Sequence, residues 1–276
     1  MLHRLWMFTL LCLIALGCGG DQSQQTKLSS TLRLAVTTST RDSGLLDELI
    51  PIFERDRDVR VDVIAVGTGK ALRLGEAGDV DVMLVHARDA EDAFMQAGHG
   101  IRREDVMYNT FEILGPPSDP AGIVGMEPAA ALQKIADGNH RYLSRGDESG
   151  THQRELLLWK KGGGQPPSDK SIESGQGMGA TLIMADQMQA YVLTDRGTFL
   201  RFKKKIELKP LVFSSQDLKN PYGILVVNPN KHPSIRNELA DAFVDFMISQ
   251  RVQQIVQDFT VDGEQLFYPL RLSNGD

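Results

Sequence analysis

Leu32-Arg33-Leu34-Ala35-Val36-Thr37-Thr38-Ser39-Thr40-Arg41-Asp42-Ser43-Gly44 passes from a short apolar run straight into a cluster of hydroxyls closed by a glycine. An apolar run without strict alternation suits a strand buried on both faces of a parallel sheet. The Thr/Ser cluster suits a helix start, where small polar groups meet backbone N–H groups that have no partner within the helix. Val59–Val66 and Val80–Val85 repeat the apolar pattern. Ala71–Ala77 and Ala90–Ala97 supply helical segments between and after them. Leu45, Leu46, Leu49, Ile52 and Phe53 also keep helical spacing, and Pro51 is expected to kink or shorten that helix. Alternation of this kind implies right-handed βαβ units in an open α/β sheet. Ligands of such sheets sit beyond the carboxyl ends of the strands, where the hydroxyl cluster falls.

Three more stretches have the same character: Gly67-Thr68-Gly69-Lys70, Ser144-Arg145-Gly146-Asp147-Glu148-Ser149-Gly150-Thr151, and Gly175-Gln176-Gly177-Met178-Gly179-Ala180-Thr181. A helix start carries partial positive charge and free N–H groups, so it holds small anions. Four such starts with one embedded arginine read as a site built around an oxyanion. Arg145 stands out because a guanidinium presents a fixed planar fork, followed here by a helix-opening Ser-Gly-Thr.

Phe111–Leu114 leads into Gly115-Pro116-Pro117-Ser118-Asp119-Pro120, which is read as the chain crossing into a second lobe. That lobe is expected to carry a strand at Arg141–Leu143, a helix at Thr151–Lys161, a polar loop from Lys161 to Ser174 and a strand at Tyr191–Thr194. Asn220-Pro221-Tyr222-Gly223 before Ile224–Val227 reads as the return crossing. A last helix from Ile235 to about Gln250 would bury Leu239, Ala242, Phe243, Phe246 and Met247. The expected division is residues 31–110 plus 223–276 for one lobe and 111–222 for the other, with a hinged cleft between them.

The first 17 residues read as a secretory signal, with His3 and Arg4 ahead of an uncharged apolar run from Leu5 to Leu16. That run falls short of the roughly 20 residues a spanning helix needs. Ile14-Ala15-Leu16-Gly17-Cys18 resembles a bacterial lipoprotein box with Cys18 as the lipidated residue, and residues 18–30 read as a polar tether. Cys12 falls inside the signal, so the folded part is left without a thiol, which excludes a disulfide framework and a thiolate metal site. Loss of Arg4 with the signal lowers 30 basic residues to 29 against 36 acidic, a net charge of −7. Such a surface disfavours nucleic acid, so the anion site must be local.

Rival motifs fail on their own chemistry. Gly67-Thr68-Gly69-Lys70 lacks the earlier P-loop glycine, where Ile64 stands, and Ala71 replaces the magnesium-binding hydroxyl. Gly175-x-Gly177-x-x-Ala180, with Asp195 downstream, fits a loose dinucleotide fingerprint but has no strand before it. His86, His99, His140, His152 and His232 are scattered and read as surface or capping residues, so no metal is expected. Ser39, Ser43 and Ser149 sit in no nucleophile elbow, and Asp147-Glu148 reads as a helix cap rather than an acid/base pair. No catalysis and no cofactor are expected.

On these segments, together with Gly75-Glu76-Ala77-Gly78-Asp79-Val80-Asp81-Val82 and Leu193-Thr194-Asp195-Arg196-Gly197-Thr198, the chain resembles the substrate-binding lipoproteins of tungstate ABC importers, within the type II periplasmic binding proteins. The resemblance runs from about Leu32 to Phe267. It implies a two-lobed α/β fold, each lobe an open sheet flanked by helices, with the ligand in the cleft. It also implies that Thr38, Ser39, Thr68, Arg145, Ser149 and Thr151 line the site with backbone from Gly69, Gly150, Gly177 and Met178. A lipid-anchored monomer outside the cytoplasm that hands tungstate or molybdate to a permease with a separate ATPase follows from it. Val36 stands where the family has threonine, and a lost hydroxyl at the rim of the site is expected. The residues alone reach only an oxyanion: phosphate, sulfate, an oxyanion-sensing module or an enzyme on the same fold stay open.

Overall fold

The computed structural model describes residues 30–147, 149–166 and 169–273. The signal, Cys18 and Glu148 lie outside them. The chain opens with β1 (Thr31–Thr37), α1 (Thr38–Ser43), α2 (Leu45–Arg57), β2 (Arg60–Val66), α3 (Thr68–Ala77), β3 (Val82–Val85) and α4 (Arg88–Gln96). A 16-residue strand, β4 (Gly100–Gly115), leads to α5 (Pro128–Asp137), β5 (Tyr142–Ser144), α6 (Gly150–Lys161), β6 (Ser171–Glu173), α7 (Met178–Met188), β7 (Tyr191–Asp195), α8 (Arg196–Phe202) and β8 (Lys209–Val212). β9 (Lys219–Val227) returns the chain, and α9 (Asn237–Met247), α10 (Gln250–Asp258) and short strands β10 (Thr260–Val261), β11 (Glu264–Gln265) and β12 (Tyr268–Pro269) complete it.

The main strands follow the order β2-β1-β3-β9-β4-β7-β5-β6, with β8 and β12 also on β4. β1 lies parallel to β2 and β3, and β5 lies parallel to β6 and β7. β4 and β9 run antiparallel and bind the two parallel groups into one mixed α/β fold of two lobes. β4 changes partner inside its own length, Thr110 opposing Lys219 and Phe111 opposing Asp195. The partner change thus falls between residues 110 and 111, ahead of Gly115–Pro120, which turns the chain after the strand ends. At the parting point Asn220 donates to Asn109 Oδ1 at 2.8 Å and Asn109 to Tyr222 Oη at 3.2 Å, all three residues being buried.

Four readings need correction. α2 continues through Pro51 for 13 residues, because Leu45, Leu46, Leu49 and Phe53 are buried while Pro51 faces solvent, so the lost bond is on the wet side. The final helix is two helices. Ser249 breaks it and caps α10, its side chain accepting from the Val252 N–H, and α9 buries Ala240, Phe243, Val244 and Met247 with Leu239, Ala242 and Phe246 partly covered. The segment after Lys161 contains β6, a polar edge strand whose Ile172 remains exposed. Val36, finally, is fully buried between β2 and β3, so a hydroxyl there would enter the core and not a rim.

Candidate functional site

Each of the four segments begins a helix at the carboxyl end of a strand or of the loop after it. Thr38 and Ser39 are the first residues of α1, Thr68 and Gly69 of α3, Gly150 and Thr151 of α6, and Met178 of α7. Thr37 caps α1 through its hydroxyl, which receives the Thr40 N–H at 3.3 Å, and Ser149 caps α6 by accepting from the His152 N–H at 3.3 Å. α3 and α7 are capped by Gly67 and Gly177, which offer no side-chain acceptor. Their first N–H groups thus have no local competitor for an incoming anion.

Thr38, Ser39, Thr68, Gly69, Arg145, Ser149, Gly150, Thr151, Gly177 and Met178 all line one cavity of about 990 Å³ between the lobes. Two starts come from each side: α1 and α3 from the lobe built on β1–β3, α6 and α7 from the lobe built on β5–β7. A fifth start on the same wall is closed. The Asp195 carboxylate accepts the Thr198 N–H at 2.8 Å and its hydroxyl at 2.7 Å, neutralising the start of α8.

Arg145 is held in the loop between β5 and α6, 9% exposed. Its Nη2 pairs with Asp147, while its Nε is buried without a partner. Gly146 makes this return possible: at φ +60° it reverses the chain between the two charges, and a Cβ there would lie 2.6 Å from the Glu173 Cβ. Burial pushes the Asp147 carboxyl up, but hydrogen bonds from Ser149 and the ion pair with Arg145 outweigh it and hold the group below its ordinary value. Beneath the loop Glu155, 1% exposed, is pushed by burial up to about 7, against hydrogen bonds from Ser144 and the Arg145 backbone.

Several wall residues escaped the sequence reading. His86, directly after β3, is not a surface residue. Its ring packs on Tyr222 at 4.8 Å, and burial depresses its basicity although Asp195 opposes this. A Cβ on Gly150 would come within 3.1 Å of the His86 ring, so glycine at the start of α6 lets the two segments approach here without displacing that ring. Lys70, Arg73 and Arg201 add cations to the wall. The serines weighed as nucleophiles are occupied locally: Ser39 Oγ meets Thr37 Oγ1 at 3.2 Å, Ser43 donates to the Thr40 carbonyl at 2.7 Å, and Ser149 caps α6. Among the described residues no group of three His, Cys, Asp or Glu is placed to hold a metal, and no helix is long and apolar enough to cross a membrane.

Comparison with known proteins extends this geometry. The PBP superfamily domain family matches residues 21–251. A tungstate-binding protein TupA of Peptoclostridium acidaminophilum is 42% identical over 270 residues, covering 94% of both chains. Among solved structures, the tungstate-binding TupA of Desulfovibrio alaskensis G20 is 45% identical with a TM-score of 0.83, over 87% of this chain and 99% of that one. The tungstate ABC transporter structure from Geobacter sulfurreducens is 50% identical with a TM-score of 0.75, over 83% and 98%. Fold, identity and coverage agree over nearly the whole folded chain, which belongs to the PBP superfamily domain family, in its TupA branch.

Proposed function

We propose that this chain captures tungstate outside the cytoplasm and delivers it to an ABC permease, without chemical change to the anion. One observation carries the reading: four helix starts, two from each lobe, meet in one cavity around a single buried arginine. The names of the TupA relatives support tungstate as the ligand. In this reading Thr38, Ser39, Thr68, Ser149 and Thr151 supply hydroxyls. Backbone N–H groups come from Gly69, Gly150, Gly177 and Met178, and Arg145 supplies the charged fork.

The lobes divide as residues 31–110 plus 223–276 and 111–222, and the anion closes one on the other. Residues 1–17 are the export signal and Cys18 carries the lipid, with residues 18–30 as the tether of a monomeric protein. Molybdate, of the same charge and shape, shares the site. Hydrogen phosphate fits less well. It carries a proton that needs an acceptor, and the three carboxylates on the wall are already engaged, Asp42 with Arg41, Asp147 with Arg145 and Asp195 with Thr198. Calorimetric titration of the purified protein with tungstate, molybdate, sulfate and phosphate tests the reading. Tungstate should bind most tightly, with molybdate close to it; equal affinity for sulfate would reduce the assignment to a general oxyanion binder, and preference for phosphate would overturn it.

A further inference from the structure

Arg73 lies one turn into α3, and its Nη1 is 3.6 Å from the position a Cβ on Gly69 would take. The guanidinium therefore folds back over the first turn of its own helix, on the cavity wall, with Lys70 beside it. That turn holds no acidic residue, and its Gly67 cap brings no acceptor. Two cations at the positive end of a helix are repelled by it and by each other, an arrangement that an anion relieves. Other cations on the wall are answered by carboxylates: Arg145 by Asp147, and Arg201 by Asp42 at 3.9 Å. Among the described residues, the Lys70 and Arg73 side chains make no ion pair and no hydrogen bond, and Arg73 is exposed.

We propose that Lys70 and Arg73 form a cationic lip that steers the dianion from solvent into the cavity, setting the rate of capture, while Arg145 and the helix starts set retention. The proposal rests on the oxyanion reading above. The chain as a whole is acidic, with a net charge of −6, and repels a dianion at a distance. A local positive lip reverses the sign of the field where the anion must pass, and a cleft lined with one sign of charge raises association rates by roughly 10- to 1,000-fold. Steering of this kind is screened by salt, because at 0.1 M the field decays over about 10 Å.

Stopped-flow mixing of the purified protein with tungstate, followed through Trp159 on α6, separates the two rates. In about 10 mM salt, K70Q/R73Q should associate roughly fivefold more slowly than wild type, with dissociation within about twofold. The gap should close to under about twofold near 0.5 M salt, and the charge-conserving K70R/R73K should keep the wild-type rate. Equal association rates at low salt would overturn the proposal. So would a deficit that persists at high salt with faster dissociation, which would make these residues ligands. A wild type that binds none of tungstate, molybdate, sulfate and phosphate in calorimetry refutes the oxyanion reading itself, a result distinct from a variant that matches a responding wild type.

Discussion

Arg145→Ala is the substitution that most directly tests the chemistry of the cavity. The side chain is 11% exposed, so its charge works in a largely dehydrated setting. Truncating one partner of a buried, hydrogen-bonded charge pair costs about 2–5 kcal/mol, or roughly 30- to several-thousand-fold in Kd. The structure places the effect above the lower bound, because the change also strips Asp147 of its partner and leaves a bare carboxylate facing the anion. Thr38→Ala removes one neutral donor at an exposed position, worth about 1 kcal/mol and somewhat more toward a charged acceptor. In calorimetric titration with tungstate, Arg145→Ala should therefore bind at least about tenfold more weakly than Thr38→Ala. Arg145→Lys should recover only part, since an ammonium keeps the charge and loses the fork. Adding Asp147→Asn to Arg145→Ala should restore some affinity by removing the stranded negative charge. If Arg145→Ala binds within about threefold of wild type, the arginine is structural and the anion rests on helix starts and hydroxyls alone.

The remaining predictions concern the frame around that arginine. Gly146→Ala forces a side chain into φ +60° and against Glu173, and should cost roughly 1–3 kcal/mol in urea unfolding while also weakening tungstate binding. Glu155 has a folded pKa of about 7, raised by burial from 4.5, so its contribution to stability is complete below about pH 4.5 and is lost as pH rises through 7. Relative to Glu155→Gln, wild type should lose on the order of 3 kcal/mol between pH 4.5 and 8, and parallel profiles for the two proteins would refute the burial argument. Small-angle scattering with saturating tungstate should show a more compact particle than without it, whereas superimposable profiles would count against closure of the lobes.

What the sequence made legible follows from where small residues stand. Thr37, Gly67, Ser149 and Gly177 sit where an apolar or loop segment gives way to helix, and each becomes an N-cap. The four starts that line the candidate site were legible because each is a local feature of the chain. β4 passes from β9 to β7 between residues 110 and 111 as one unbroken strand, with no Gly or Pro at the change. The visible breakers at Gly115–Pro120 mark a turn after it. Arg73 was hidden by the opposite problem: a cation on a helix surface looks like any solvated residue until a cavity is shown beside it. His86 offered one clue, its place directly after four buried strand residues, but only the fold brings it against Gly150 and Tyr222. Asp195 had been weighed as the acid of a dinucleotide motif; it instead caps α8 through Thr198, three residues on, a local role that the Asp-Arg-Gly-Thr order already carried.

The charge inventory of the cavity explains why the ligand should be a dianion and why it should close the lobes. Each helix start carries about half an elementary charge at most, so four starts present roughly +2. Arg145 adds little net charge because Asp147 already balances it, α8 adds little because Asp195 caps it, and Lys70 and Arg73 are exposed at the wall, where solvent screens their charge. A tetrahedral dianion matches these four starts, none of which has an acidic residue in its first turn, while a monoanion leaves half of that field unanswered. α1 and α3 belong to one lobe and α6 and α7 to the other, so an anion in an open cleft meets only half of the donors. The second half is gained only on closure, and a ligand shifts a conformational equilibrium by its difference in affinity for the two states. A singly charged ion has less to gain from the second lobe and shifts the balance less. In the proposed mode of binding, selection by charge and closure of the cleft would come from the same four helix ends, with the Arg145–Asp147 pair setting how much further a closed state is favoured.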